Sequence, residues 1–223
     1  MTPMDPCRPP IPTMRWPAAW SSRPGSAWLQ ALPGRRYRLG PLLAAARRDL
    51  PPSAVVYDVG GGTGYAMRLF ASLGRGRDAP TCVLLEPQLE MIHRARRRFA
   101  PVGSAEVHVL RGDAASLPFP DRSADLVLSL GVLCCMAPAA VPRAIGEIDR
   151  VLRPTGRCAF AVPRRQIDRH ERLLQEAGFE VVERFGRSRL LLRKALSGGT
   201  ASSVGAPLSS AGRPVSEGDR VAR

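Results

Sequence analysis

Lysine is almost missing from this chain: of 33 basic residues only Lys194 is lysine and the others are arginine. Together with the alanine, glycine and proline usage, this has the look of a GC-rich coding sequence, and the net charge of +14 need not mean a nucleic-acid surface. The excess is also spread out, +6 over residues 1–50, +7 over 51–194 and +1 over 195–223. No single stripe of positive charge stands out, so nucleic acid is a disfavoured partner. Histidine occurs three times, and the five cysteines (Cys7, Cys82, Cys134, Cys135 and Cys158) contain no Cys-x-x-Cys pair and no histidine cluster at ligand spacing, so no metal site is expected. An odd, scattered set of cysteines suits a reducing compartment, and a cytoplasmic location follows as the expectation. Long apolar runs are lacking as well. The uncharged stretch from Leu126 to Val141 is broken by Ser129 and Pro138 and falls short of the about 20 residues of a membrane-spanning helix, so it reads as a buried strand and a loop.

Proline and glycine, 22 and 21 in number, crowd toward both ends of the 223 residues. The first 48 residues hold a single acid, Asp5, faintly like an organelle transit peptide, but prolines at positions 3, 6, 9, 10, 12, 17 and 24 oppose an amphipathic helix. Residues 1–40 therefore read as an irregular or disordered leader. Residues 196–223 are rich in Ser, Gly, Ala and Pro, cannot build a core and read as a disordered tail. One domain, 41–195, remains between them.

Within that domain strand and helix signals alternate. Pro41 and Pro51-Pro52 bracket a short helix over 41–49. A β-branched run over 55–59 is followed by a helix over 65–73, closed by Gly74. Strands are predicted at 81–87, 105–113, 124–130 and 157–162, with helices in 88–100, 139–152 and 165–177. Continuous apolar strands separated by helices predict a parallel sheet covered on both faces. The last two strands, 179–185 and 189–196, are joined only by Gly186-Arg187-Ser188, too short for a parallel crossover, so they form an antiparallel hairpin.

The sharpest local feature is Asp58-Val59-Gly60-Gly61-Gly62-Thr63-Gly64, which stands where the first strand of an open parallel sheet turns into its helix. That turn floors the ligand crevice of such sheets, and glycines there let a ligand meet bare main chain. A phosphate loop would end Gly-Lys-Ser/Thr, but Tyr65-Ala66 follows Gly64, and the dinucleotide pattern Gly-x-Gly-x-x-Gly fails because its third glycine would fall on Tyr65 or Met67. An acid at Asp58 repels a pyrophosphate and suits a ligand with an ammonium or other positive centre.

This pattern resembles motif I of the class I S-adenosylmethionine-dependent methyltransferases, acid-x-Gly-x-Gly-x-Gly, matched by Asp58, Gly60, Gly62 and Gly64. Further blocks carry the resemblance over residues 41–195: Glu86 at the end of the second strand, "RGDAASLPFPDRSADLVLSL", "IGEIDRVLRPTGRCAFAVP" and "LLQEAGFEVVE". It favours the small-molecule branch related to the enzymes of quinone biosynthesis, the type 11 methyltransferases. The resemblance implies an α/β, Rossmann-like doubly wound sheet of seven strands in order 3-2-1-4-5-7-6 with strand 7 antiparallel, and S-adenosylmethionine as cofactor. It also implies a binding set of Asp58, Gly60, Gly61, Gly62, Gly64, Glu86, Pro87, Met91, Asp113, Ala114 and Leu130, in which Glu86 holds the ribose hydroxyls and Asp113 the adenine amino group. The implied activity is methyl transfer to an O, N or C atom of a small molecule.

Each residue also has a plainer role to weigh. Asp113 could organise an Asx turn, Asp125 reads as structural, Met91 as core, and Cys134-Cys135 as a small buried pair with no basic partner visible to activate it. His93, His108 and His170 sit inside elements, and no catalytic residue is identified. No Asn/Asp-Pro-Pro-Tyr/Phe block follows the fourth strand, which disfavours nucleobase amines as targets. Two other readings stay open: a non-catalytic cofactor-binding or scaffold module serving a protein partner, and, from charge alone, an RNA methyltransferase.

Overall fold

A computed structural model describes residues 39–73, 79–99 and 107–195. The tail, nearly all of the leader and the helix stop expected at Gly74 lie outside the described residues. In chain order the elements are α1 (Leu39–Arg48), β1 (Val55–Val59), α2 (Tyr65–Ser72), β2 (Thr81–Glu86), α3 (Leu89–Phe99), β3 (Val107–Arg111) and β4 (Ala124–Leu130). They continue with α4 (Val141–Val151), β5 (Leu152–Ala161), α5 (Ile167–Glu176), β6 (Phe179–Arg184) and β7 (Arg189–Lys194).

The strands form one seven-stranded sheet in the order β3-β2-β1-β4-β5-β7-β6. Pairing is parallel from β3 through β5, and β7 runs antiparallel to both β5 and β6. The Gly186 turn closes the β6–β7 hairpin with a positive φ of 67° and a Phe185 N–H bond to the Arg189 carbonyl at 2.9 Å. Side-chain alternation then builds two cores. Val56, Leu84, Leu126, Leu128, Ala159 and Leu191 pack under α1, α2 and α3, while Tyr57, Val83, Leu85, Val127, Cys158, Phe160, Leu190 and Leu192 pack under α4 and α5. Among the described residues no helix is long and apolar enough to cross a membrane.

Two boundaries depart from the sequence reading. Helix α1 begins at Leu39, inside the stretch read as leader, because Leu39 joins Leu42, Leu43 and Ala46 on one buried stripe and Pro41 falls in the first turn, where its missing N–H costs nothing. Strand β5 starts at Leu152, directly after α4, and not at 157. Arg153 precedes Pro154 and is thereby pushed toward extended backbone, so the chain leaves the helix without a turn. Leu152 pairs Ala124, and a register irregularity follows before Leu126 meets Arg157.

Because the five strands from β3 to β5 are parallel, their carboxyl ends share one rim. Short backbone bonds tie its loops together: Gly60 and Gly61 N–H to the Leu85 carbonyl at 2.8 and 3.1 Å, Gly112 to Glu86 at 3.3 Å, and Gly131 to Ala161 at 2.7 Å. Helix α1 is tied to the sheet by Arg157, which donates to the Ala46 carbonyl at 3.1 Å and to Asp49 at 2.9 Å. Leu43 is 0% exposed and seats α1 on the first core. A Leu43→Ala variant is expected to lose about 2–5 kcal/mol in urea-induced unfolding, the range for a buried leucine with its residual cavity.

Candidate active site

The bend from Gly60 to Gly64 takes left-handed backbone at three positions, with φ of 69° at Gly60, 56° at Gly62 and 76° at Gly64. Sterics from the protein itself add to that demand. A Cβ on Gly60 would stand 2.6 Å from Val132 Cγ2, and one on Gly64 would stand 2.6 Å from the Phe99 ring. Gly64 is also the N-cap of α2 and offers no side-chain cap, so the first N–H groups of that helix are open to an anionic group such as a carboxylate.

Two buried acids flank the bend. Glu86, 6% exposed at the end of β2, accepts the Gly62 N–H at 3.0 Å through Oε2 and the Gln88 N–H at 3.1 Å through Oε1. Burial raises its pKa, and these two backbone donors pull the other way. Asp58, 1% exposed on β1, is less well served: its Oδ2 is buried without a hydrogen-bond partner. Loss of water, reinforced by the Glu86 charge, pushes its pKa from 3.8 up to about 7. An unpaired carboxylate oxygen aimed into a bend of bare main chain is the kind of acceptor an ammonium group would satisfy. The Thr63 hydroxyl, in the middle of the bend, is likewise buried and unpaired, as is that of Ser129 on β4. Thr63 lies between two of the glycines and could have been flagged by position alone.

The loop after β3 carries Asp113 and Ala114. Asp113 Oδ1 accepts the Ala115 N–H at 2.9 Å, which is the Asx turn weighed above, and Ala114 is buried beside it. The loop is held from below by Arg150 on α4. Its guanidinium donates to the carbonyls of Phe119 at 2.8 Å and Leu117 at 3.0 Å, to Asp121 at 2.6 Å, and to Glu147 at 2.8 and 2.9 Å. Glu147 in turn accepts the Leu117 N–H at 2.6 Å. Phe119 stacks on Tyr57 with ring centroids 3.9 Å apart. No local sequence pattern signals this clamp.

The remaining expectations sort as follows. Pro87 follows β2, Met91 is half-buried on α3, and Leu130 ends β4 on the same rim, ahead of Gly131 with φ 81°. Asp125 is structural: it accepts the Val55 N–H at 2.8 Å and pairs with Arg153. His93 and His108 are exposed, while His170 is 4% exposed and bonded through Nδ1 to the Gln166 carbonyl at 2.9 Å. Cys134 and Cys135 are half-buried on a short 3₁₀ turn after β4. The Cys134 pKa is lowered chiefly by its hydrogen bond with Cys135, burial opposes this, and the charge of Arg165, after β5, adds a smaller share that the sequence does not reveal. Among the described residues no group of three or more His, Cys, Asp or Glu could hold a metal ion.

Residues 57–160 match a protein family described as a methyltransferase domain. The domain belongs to the class I S-adenosylmethionine-dependent methyltransferases. The chain is 34% identical over 121 residues to a malonyl-[acyl-carrier protein] O-methyltransferase of Methylococcus capsulatus, a stretch covering 54% of this chain and 41% of that protein. It is 36% identical over 132 residues to a ubiquinone/menaquinone biosynthesis C-methyltransferase of Caulobacter vibrioides, covering 56% and 50%. The matched stretch thus spans half or less of the length of these curated relatives. In fold it is similar to a SAM-dependent methyltransferase from Aquifex aeolicus, with a TM-score of 0.54 at 19% identity over 71% of this chain and 92% of that one.

The raised Asp58 pKa has a consequence for stability. Between pH 3.8 and about 7 the unfolded chain ionises this carboxyl while the folded chain keeps it protonated. Stability from this group is therefore full below pH 3.8 and is lost as pH rises to about 7, a decline on the order of a few kcal/mol. Urea titrations of the cofactor-free protein at pH 5 and pH 7.5 are expected to show that decline, and Asp58→Asn is expected to flatten it.

Proposed function

We propose that this chain transfers a methyl group from S-adenosylmethionine to a nucleophilic O, N or C atom of a small molecule. The observation that carries the reading is the unpaired, buried Asp58 carboxylate and its neighbour Glu86 on either side of the Gly60–Gly64 bend. The donor set fits the cofactor group by group: Asp58 suits the ammonium, the open N-terminus of α2 the carboxylate, and Glu86 a cis-diol. Pro87, Met91, Asp113, Ala114 and Leu130 complete the proposed set around the base. When bound, the cofactor supplies an electrophilic methyl group on a sulfonium.

The protein's part is alignment and exclusion of water. The clamp of Arg150 on the 113–121 loop and the Glu86 bonds to Gly62 and Gln88 fix the cradle before any ligand arrives. The acceptor would approach from the residues after β4, where Val132 fills the space above Gly60. The substrate and the atom methylated are left to experiment, since the relatives act as O- and C-methyltransferases. The four described cysteines are free thiols, which supports a reducing, cytoplasmic setting.

Isothermal titration with S-adenosylmethionine tests the cradle. The wild type is expected to bind, Glu86→Ala to weaken binding by about 10- to 100-fold through loss of charge-assisted hydrogen bonds, and Gly62→Val to abolish it through its φ of 56°. Absence of binding by the wild type, or unchanged binding by both variants, rejects the reading. Radiolabelled cofactor offered with small-molecule, RNA and protein fractions is expected to label the small-molecule fraction.

A further inference from the structure

Two thiols stand side by side at the acceptor side of the rim. The Sγ atoms of Cys134 and Cys135 are 3.6 Å apart on the 3₁₀ turn Leu133–Cys135, and both side chains are half-buried, so solvent and small ligands reach them. Cys135 Sγ is held by the Gly131 carbonyl at 3.3 Å, and the Cys135 N–H bonds to the Val132 carbonyl at 2.8 Å. The pair is thus fixed on the segment whose Val132 side chain covers Gly60.

Its chemistry differs from that of the other described cysteines. Burial pushes the thiols of Cys82 and Cys158 up to about 12, which makes both inert. For Cys134 the balance is reversed: the hydrogen bond it shares with Cys135 lowers its pKa, burial opposes this, and its own backbone amide and the charge of Arg165 add smaller lowering contributions. Cys135, the other member of the contact, is raised.

The spacing discriminates between partners. A disulfide would need the sulfurs to close from 3.6 Å to about 2.05 Å within one turn. Two thiolates bound to a single pyramidal, three-coordinate centre at about 2.3 Å, with an angle of roughly 95–100° between them, stand about 3.4–3.5 Å apart, close to the spacing already present. A zinc-type site would need further ligands, and among the described residues no third His, Cys, Asp or Glu joins the pair. We propose that Cys134 and Cys135 form a two-thiol site for a soft, thiophilic centre content with two protein ligands, of the class of monosubstituted trivalent arsenicals. This goes beyond the methyl-transfer reading and does not depend on it. Capture balances without any oxidant: the two S–H bonds and the arsenic–oxygen bond of an arsine oxide break, two arsenic–sulfur bonds form, and the oxygen leaves with both protons as water. Arsenic stays trivalent.

The test uses the full chain carrying Cys7→Ser, since Cys7 lies outside the described residues, with phenylarsine oxide as probe. Intact-mass spectrometry is expected to show one adduct per chain, and thiol titration to show two of the four remaining thiols consumed. A dithiol is expected to remove the adduct, while a monothiol at the same sulfhydryl concentration leaves it. Cys134→Ser and Cys135→Ser are each expected to weaken capture by at least about 100-fold, because the second bond is then no longer intramolecular. Absence of an adduct on the parent chain, reversal by monothiol, or undiminished capture by either folded variant overturns the proposal. Should a variant fail to fold by circular dichroism, the adduct stoichiometry and thiol count on the parent chain still decide. None of these readouts involves methyl transfer, so failure here leaves the cofactor titration untouched, and the reverse.

Discussion

Asp58 sets the terms for everything around it. A carboxyl group at 1% exposure, with one oxygen unpaired and a second acid nearby, is an expensive thing to fold around. Its position on β1 cannot be relaxed locally, because Asp58 is paired with Leu84 on one side and Leu128 on the other, in the middle of the parallel sheet. The cost is carried by the two apolar layers that β1 separates. On the function proposed above, the cationic cofactor would supply the partner that this buried acceptor lacks. Glu86 resolves the same problem differently. Its two oxygens take main-chain donors from the bend and from the start of α3, so it knots two loops together while remaining an acceptor pair at the rim.

The glycines answer two demands at once. The sequence argument was that a ligand needs bare main chain. The structure adds that the protein's own atoms need it too, because Val132 and the Phe99 ring occupy the volume that side chains at 60 and 64 would take. These contacts bring residues from the β4 end and from α3 onto the bend. Replacing a glycine there would disturb packing and binding together, so a loss of cofactor affinity at 60 or 64 combines both effects.

How far the sequence could be read depended on how local each signal was. Apolar strands alternating with amphipathic helices, and a three-residue link between the last two strands, were enough for a parallel sheet ending in an antiparallel hairpin; the strand order came from the family resemblance, and the sheet has that order. Asp58 and Glu86 were legible because motif and strand end coincide. The early start of β5 was missed although Arg153-Pro154 carried the signal, since the pattern from 157 onward was the more apolar. Asp113 showed the Asx turn that its residue type allows. What could not be read were contacts between distant segments: Val132 against Gly60, and Arg150 on the 113–121 loop. No periodicity connects residues that meet only after the sheet has formed.

Arg150 shows why such contacts matter for function. All five of its N–H bonds are committed, two to main-chain carbonyls of the loop and three to Glu147 and Asp121. Those carboxylates hold it firmly protonated. A lysine, a single charge on a flexible stem, could reach one of these groups but not span Leu117, Phe119 and Asp121 together. The loop that presents Asp113 and Ala114 is thereby fixed to α4, and α4 is fixed to the sheet through Ile145, Ile148 and Val151, each at most 1% exposed. On the opposite side of the crevice, the segment from Val132 to Met136 is held mainly by two short turns and packs only partly against the core. One wall is held by a guanidinium and its carboxylates on a packed helix; the other is a short turn seated on the core by Leu133 and carries Cys134 and Cys135, so the two walls answer to different parts of the sequence.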